Sequence, residues 1–216
     1  MILKTASTSL VLSVLLVSVG CSQLPVKTVV DKKAVIKAPT TKQSAWKQRQ
    51  QYLARKAAWN LTSKIALRYR ADHWTFGLNW AQKAVKQYSM QINNPLTGAV
   101  VAKLTRNNAG VSLLSDDGKT YRDNDEERLL TSQSGVTLPL KGMQHWVRGL
   151  SSPIYKLDQL VLDSQGRPQS LMQAGWKIEY SKYLTPSYNA MPGKVVITRT
   201  KDSVYLKMIA KKWQGT

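Results

Sequence analysis

Along much of this chain, apolar side chains alternate one for one with polar or small ones. In "KIALRYR", Ile65, Leu67 and Tyr69 alternate with charged or small residues. In "HWTFGLNW", at residues 73–80, every second residue is Trp, Phe or Leu. A period of two is that of a β-strand with one apolar face. The pattern therefore predicts strands that bury bulky side chains on one side of a sheet.

Further strand candidates follow, and turn-forming residues separate them. "DDGK", "SQGRP" and "MPGK" are typical turn sequences. The further predicted strands cover residues 88–92, 100–104, 111–114, 155–162, 171–180, 194–200 and 204–211. An antiparallel sheet of this length must curl or close on itself. The seven tryptophans and nine tyrosines either fill the inside of such a barrel or line a cavity, and the pattern alone leaves both open.

Three segments have helical character instead. Residues 42–58 are rich in Ala, Gln, Lys and Arg, and place Trp46 and Leu53 on one face. A second helix is predicted to begin near Asp123, and a third over residues 139–149. These two short helices interrupt the strands, so they are suited to cover an open end of the sheet. The predicted fold class is mainly β, with some α.

The N-terminal segment predicts export and lipid attachment. Residues 1–20 combine Lys4 with a short apolar run and read as a signal that is removed. Cys21 is the only cysteine and follows Gly20, so the segment resembles a bacterial lipoprotein precursor in which this cysteine carries the acyl chains. A plain secretory signal with an incidental thiol is the alternative. Residues 21–41 then form a flexible tether, and residues 42–216 form one domain.

The chain is strongly basic, with a formal net charge of +20. Such a charge attracts anionic surfaces over roughly a Debye length, about 8 Å at physiological salt. Phospholipid head groups, an acidic protein or nucleic acid would all provide such a surface. Because export and lipidation separate the chain from nucleic acid, we expect no nucleic-acid partner.

Motifs of catalysis and cofactor binding are missing from the sequence. The two histidines lie in unrelated elements, and no Cys or His cluster has the spacing of metal ligands. The usual esterase, nucleotide hydrolase and dinucleotide signatures are absent. We therefore predict no catalytic residues, no metal, no cofactor and no enzyme activity.

The turn sequence "NNPLTG" carries a large apolar residue where a turn usually faces water. Asn94, Pro95 and Gly98 are typical turn residues, and Leu96 lies among them. A leucine left in water forgoes about 1.5 to 3 kcal/mol of burial. Either Leu96 folds back onto its own hairpin, or it serves a function outside the fold.

Several motifs together resemble the LolB family of outer-membrane lipoprotein receptors of Gram-negative bacteria. They are "NNPLTG", "DDGKTYRDNDEE", "LPL…HWVRGL", "QAGWKIEYSKY" and "MPGKVVIT", and they occur in a consistent order between Trp46 and Trp213. The first resembles the protruding loop "NPLG" of the family, with Thr97 inserted. The second resembles the segment before a helix, and the third a short helix that ends in "W-x-x-GL".

The resemblance implies an incomplete antiparallel β-barrel whose helices form a lid over an apolar cavity. It implies a monomeric, lipid-anchored protein of the outer membrane that faces the periplasm. Its partners would be the periplasmic carrier LolA, acylated lipoproteins as cargo, and outer-membrane phospholipid. It would insert the cargo into the inner leaflet without a nucleotide. The alternative is an envelope lipoprotein that binds peptidoglycan or another polymer through aromatic surfaces.

The resemblance also implies roles for individual residues. Cys21 would be the lipid anchor, and Leu96 would enter the bilayer on a loop shaped by Asn94, Pro95 and Gly98. The predicted acyl-chain cavity combines this resemblance with the inward-reading positions of the strands and helices. Its residues are Ile65, Leu67, Trp74, Phe76, Trp80, Met90, Leu104, Trp146, Trp176 and Ile178.

Overall fold

The structure is a computed structural model that describes residues 41–215. The predicted signal at 1–20, the anchor Cys21 and the tether up to residue 40 lie outside the described residues. The helices are α1 (Lys42–Ala54), α2 (Glu126–Ser134) and α3 (Leu140–Trp146). The strands are β1 (Trp59–Tyr69), β2 (Asp72–Ala84), β3 (Gln87–Asn93), β4 (Val100–Asn107), β5 (Gly110–Ser115), β6 (Thr120–Asp123), β7 (Leu157–Leu162), β8 (Pro168–Gln173), β9 (Trp176–Tyr183), β10 (Pro192–Arg199) and β11 (Val204–Gln214).

All these strands form one antiparallel sheet, in the order β6-β5-β4-β3-β2-β1-β11-β10-β9-β8-β7. The first and last strands pair in the middle, with Tyr69 opposite Val204. Within residues 41–215, the edge strands β6 and β7 pair with no second neighbour, and the chain between them carries α2 and α3. The fold is therefore an incomplete barrel with helices between its two edges, as predicted.

The strand pattern has two differences from the prediction. The predicted strand 171–180 is two strands, β8 and β9, because Ala174 and Gly175 both have positive φ, 51° and 75°, and reverse the chain. Such a turn matches the twist of a two-residue hairpin, but alanine gives little signal for it. Strand β6 was not predicted because it has four residues and no apolar alternation.

Helix α1 begins at the predicted position and ends four residues early, at Ala54. Its N-cap Thr41 accepts a hydrogen bond from the backbone N–H of Ser44 at 3.1 Å. The buried face consists of Ala45, Arg49 and Leu53, while Trp46 remains partly exposed. The sequence prediction for this face was wrong at Trp46, because an arginine, Arg49, shares the buried face with Leu53.

Helix α2, unlike α1, begins later than predicted. Its N-cap is Asp125, whose side chain accepts hydrogen bonds from the backbone N–H groups of Glu127 and Arg128. Asp123 instead accepts from the backbone of Asp125 at 2.9 Å and pairs with Arg128. Among the described residues, no helix combines the length and apolar character needed to cross a membrane.

Aromatic side chains fill one end of the barrel. The ring of Trp59 lies 5.2 Å from that of Trp80 and 5.6 Å from that of Trp213, and Tyr88 lies 6.2 Å from Trp80. The Trp80 indole N–H donates to Gln82 Oε1 at 2.9 Å, so its polar atom is satisfied within the core. This end is solid, and any open interior space must lie elsewhere.

Candidate functional site

An apolar cavity of about 630 Å³ lies between strands β1–β5 and the segment that carries α2 and α3. On the strand side, apolar lining comes from Ile65, Leu67, Trp74, Phe76, Leu78, Met90, Ile92, Pro95, Val101, Ala102, Leu104, Leu113 and, from β11, Leu206. On the helix side it comes from Leu130, Val136, Leu138, Leu140 and Met143. Within residues 41–215, the lining contains no Lys, Arg, Asp or Glu.

Six of the ten predicted cavity residues line this space: Ile65, Leu67, Trp74, Phe76, Met90 and Leu104. Four do not line it: Trp80, Trp146, Trp176 and Ile178. All four are buried on the predicted side, but other aromatic rings pack against the three tryptophans among them. The Trp146 ring, for example, packs 6.3 Å from Trp176 and 5.9 Å from Tyr155. Strand parity identifies inward residues, but it does not separate a packed wall from a hollow one.

Sequence reasoning missed the helix side of the cavity. Leu140 and Met143 have helical spacing, which predicts one apolar face of α3. The spacing does not predict that this face lines the cavity. Leu130 lies within α2, where the sequence is mostly polar, and Val136 follows two residues after the end of this helix. These residues form a lid over the cavity because the chain between the two sheet edges must cross the open side.

Buried hydrogen bonds attach α3 to the sheet. The Trp146 indole N–H donates to Gln173 Oε1 at 2.7 Å, and the Tyr180 hydroxyl donates to the Trp146 carbonyl at 2.8 Å. The Gln173 amide also donates to the carbonyls of Ser152 and Tyr155. Because the side-chain polar groups of Trp146, Gln173 and Tyr180 all have partners, these bonds hold the α3 half of the lid against the sheet.

His145, near the end of α3, makes the stability of the lid depend on pH. Burial, and to a lesser extent the Arg148 guanidinium, lowers the pKa of His145 to about 4. The unfolded chain binds the proton near pH 6.5, so stability should fall as the pH drops from 6.5 to 4. Between pH 7 and pH 4, we expect the unfolding free energy of His145→Gln to fall by on the order of 2 kcal/mol less than that of the wild type.

Urea unfolding at the two pH values measures this component. His73→Gln is the matched control, because the His73 side chain is exposed. An equal dependence on pH in the wild type and in His145→Gln would contradict the prediction.

The loop between β3 and β4 is held by its own polar groups. Asn94 Oδ1 accepts hydrogen bonds from the backbone N–H groups of Leu96 and Thr97, at 2.9 and 3.2 Å. The Gly98 N–H donates to the Asn94 carbonyl at 2.9 Å, and Gly98 has a φ of 76°, which favours glycine. The loop therefore keeps its shape without help from the leucine side chain.

The Leu96 side chain is 93% exposed and does not fold back onto its hairpin. Asn94 and Pro95, in the same loop, line the cavity, so the leucine projects beside the cavity opening. Trp74 and Val101 also line the cavity and are themselves exposed. The opening thus has an apolar rim, which is unusual for a surface that faces only water.

The lining of this site is mostly apolar, with a few polar side chains among it. The polar lining residues are His73, Thr75, Asn93, Asn94 and Ser134. Across residues 41–215, no group of three or more His, Cys, Asp or Glu side chains is placed to hold a metal ion. An uncharged, apolar cavity of this kind can hold hydrocarbon.

Comparison with known proteins identifies the family and agrees with the fold. Residues 57–213 match the family model described as "Outer membrane lipoprotein LolB". The chain belongs to the LolB family. The matched residues include the whole sheet except its last residue, together with both lid helices.

Relatives within the LolB family are similar over most of their length. A protein of Alkalilimnicola ehrlichii described as "Outer-membrane lipoprotein LolB" is 31% identical over 155 residues, which cover 72% of this chain and 76% of the relative. One of Pseudomonas aeruginosa with the same description is 32% identical over 169 residues, 78% of this chain and 80% of the relative.

A solved structure supports the same fold at low sequence identity. The crystal structure of a LolA superfamily protein from Nitrosomonas europaea has a TM-score of 0.52 at 10% identity, and covers 82% of this chain and 94% of its own. This likeness concerns the fold alone.

The segments that resemble LolB motifs surround the cavity and its lid. "NNPLTG" forms the loop with Leu96, and "DDGKTYRDNDEE" forms the β5–β6 turn, β6 and the start of α2. "LPL…HWVRGL" contains α3, and "MPGKVVIT" contains β10. These segments thus include the loop with Leu96, the start of α2, helix α3 and most of β10.

Proposed function

We propose that this chain accepts acylated lipoproteins from the carrier LolA and inserts them into the inner leaflet of the outer membrane. It acts as a monomer, anchored through acylated Cys21 and facing the periplasm. The observation that carries the proposal is the uncharged cavity that opens beside an exposed leucine. The names of its relatives support the outer-membrane location.

Transfer between apolar sites follows from the cost of exposing acyl chains to water. Burial of an acyl chain is worth about 0.8 kcal/mol per CH₂, so exposure of several long chains costs on the order of tens of kcal/mol. A receptor must therefore take the chains directly from the cavity of the carrier into its own. No nucleotide is needed if the receptor binds acyl chains more tightly than the carrier and less tightly than the bilayer.

The direct test mixes the LolA carrier, loaded with radiolabelled lipoprotein, with this chain and then with vesicles. The proposal predicts that the label moves from the carrier to the chain, and from the chain to the vesicles. A label that stays on the carrier would contradict it. Retention of the chain on peptidoglycan, without transfer, would favour the alternative function.

A substitution that fills the cavity should weaken cargo binding. Ala102 lines the cavity on β4, and Ala102→Phe places a ring where hydrocarbon would lie. Displacement of two CH₂ groups costs about 1.6 kcal/mol, so the affinity for a fluorescent acyl probe should fall at least about tenfold. Probe titration and thermal melting measure affinity and folding separately.

The matched control for this substitution is Ala66→Phe. Ala66 lies on β1 between the buried Ile65 and Leu67, so its side chain is on the outer face of the sheet. We expect the control to bind the probe as the wild type does. Equal binding by both variants would mean that the probe occupies another site.

A further inference from the structure

A polar groove lies on the same end of the sheet as the cavity opening. It has a volume of about 380 Å³. The side chains that matter for its chemistry are Arg68, Arg70, His73, Thr198, Ser203 and Tyr205. Two arginines and several residues with hydroxyl groups therefore line one groove, and the Arg70 guanidinium lies 5.0 Å from the centre of the Tyr69 ring.

Strand register builds the groove from four adjacent strands. His73 on β2 lies opposite Arg68 on β1, which lies opposite Tyr205 on β11, which lies opposite Thr198 on β10. The Arg68 guanidinium stacks 4.3 Å from the centre of the Tyr205 ring. This contact orients the planar arginine fork, which is the geometry that binds phosphate through two parallel hydrogen bonds.

Two turns complete the groove. Arg70, in the β1–β2 turn, donates its backbone N–H to the carbonyl of Ser203, in the turn before β11, at 3.1 Å. Both residues have positive φ, 56° and 53°, which is uncommon for side chains other than glycine. In the described part of the chain, neither Arg68 nor Arg70 forms an ion pair with a carboxylate, whereas the neighbouring Asp202 pairs with Arg199. The two groove arginines are thus available to an external anion.

His73 joins the groove to the apolar cavity, because it lines both. The β1–β2 turn and the loop with Leu96 also lie at the same end of the sheet, since Gly77 on β2 pairs with Asn93 on β3. A cationic groove, an apolar cavity and an exposed leucine are therefore adjacent. This order of polar and apolar surfaces matches the order of phosphate and acyl chain in a glycerophospholipid.

We propose that the groove binds the phosphate of a glycerophospholipid in the receiving bilayer. The inference rests on the proposed function and adds a binding site to it. Acyl chains on a cysteine carry no phosphate, so the groove serves a ligand other than the cargo. Bound there, the lipid phosphate would hold the cavity opening at head-group depth, where Leu96 reaches the hydrocarbon.

Vesicle binding tests this site without cargo or carrier. The full chain carrying Cys21→Ser, which prevents acylation, is sedimented with vesicles of phosphatidylcholine or of digalactosyldiacylglycerol. Both lipids have acyl chains and no net charge, but only the first contains phosphate. Because a phosphate accepts charge-assisted hydrogen bonds from arginine and a neutral sugar does not carry such a charge, we expect the chain to bind phosphatidylcholine about tenfold more tightly.

The double variant Arg68→Gln/Arg70→Gln should lose this preference. The control is Lys211→Gln/Lys212→Gln, which removes the same charge from exposed positions towards the far end of β11 and should keep it. Thermal melting checks folding, and the single variant Arg70→Gln, at an exposed turn, provides the test if the double variant is unstable.

Three results would overturn the proposal. The first is equal binding of both lipids by the wild type, and the second is an unchanged preference for phosphatidylcholine in the arginine variants. The third is an equal loss of this preference in the lysine control, which would indicate that overall charge causes the preference. If millimolar inorganic phosphate abolishes the preference, the ligand of the groove is free phosphate instead of the lipid. Ala102→Phe should keep the preference, so a failure of the acyl-binding function remains distinguishable from a failure of the groove.

Discussion

Leu96→Glu should abolish insertion of cargo into the bilayer while it leaves the fold and the acceptance of cargo almost unchanged. The loop is held by Asn94 and by backbone hydrogen bonds, and the leucine is 93% exposed, so the change in unfolding free energy should stay within about 0.5 kcal/mol.

The expected loss of insertion follows from how the two side chains interact with the bilayer. Burial of a leucine contributes about 1.5 to 3 kcal/mol, whereas a carboxylate must be desolvated and is repelled by anionic lipids at about 1 kcal/mol per charge. Together these effects predict transfer to vesicles that is at least about a hundredfold slower. Release of radiolabelled lipoprotein to vesicles measures the rate, and thermal melting measures stability.

Two controls separate the effect of the position of Leu96 from the effect of introducing a carboxylate. Leu184→Glu makes the same change at another exposed leucine, directly after β9 at the opposite end of the sheet, and should transfer normally. Thr97→Glu places the same charge in the same loop and keeps the leucine. If Leu96→Glu loses stability and transfer in equal measure, the leucine serves its own hairpin instead of the membrane.

Arg49→Met should cause the largest loss of stability of any substitution considered. The Arg49 side chain is fully buried at 0% exposure, and its guanidinium donates to four backbone carbonyls. These are Gly149 at 3.0 Å, Tyr188 and Ala190 at 2.8 Å, and Arg148 at 2.6 Å. Burial lowers the pKa of Arg49, but the four acceptors stabilise its charge.

Arg148 makes the reverse connection. It donates to the carbonyls of Leu53 and Lys56, at and just beyond the C-terminal end of α1, where a cation also interacts well with the helix dipole. Each arginine therefore binds the backbone next to the other, and together they fasten α1 to the end of α3. The N-terminal helix is held by these contacts more than by apolar burial.

Methionine fills a similar volume but leaves four buried carbonyls without a donor. Loss of one partner from a buried charged network costs about 3 to 5 kcal/mol, which corresponds to a fall in melting temperature of about 6 to 20 °C for a domain of this size. Thermal and urea unfolding measure it. Arg55→Met, an exposed arginine just after the same helix, should change stability by less than about 0.5 kcal/mol. Equal stability of the two variants would refute this role of Arg49.

The sheet was predictable because its signal is local. Alternation placed Ile65 and Leu67 on the inner face, and turn sequences marked most hairpins. The prediction failed where the local signal was weak, as at the Ala174–Gly175 turn, or where one residue broke the pattern, as at Arg49. An arginine on an apolar face is explained only by carbonyls that lie about 100 and 140 residues away in sequence.

The site was predictable in part for the same reason. Six of the ten proposed cavity residues line the cavity, and all six lie on β1–β4. The four others are all almost fully buried, and aromatic rings pack against the three tryptophans among them. Trp59 packs against Trp80, and Tyr155 packs against Trp146, which in turn packs against Trp176. The sequence of a strand contains no information about which distant ring lies opposite.

By itself, the sequence determined the alternating strands, the basic charge and the motifs that identify the family, because each depends on residues close together in the chain. The tertiary structure alone decided which inward side chains pack and which line a cavity, that Leu96 projects from its loop, and that Arg68 and Tyr205 share a groove. Those properties depend on contacts between side chains from distant parts of the chain, and local periodicity does not predict such contacts.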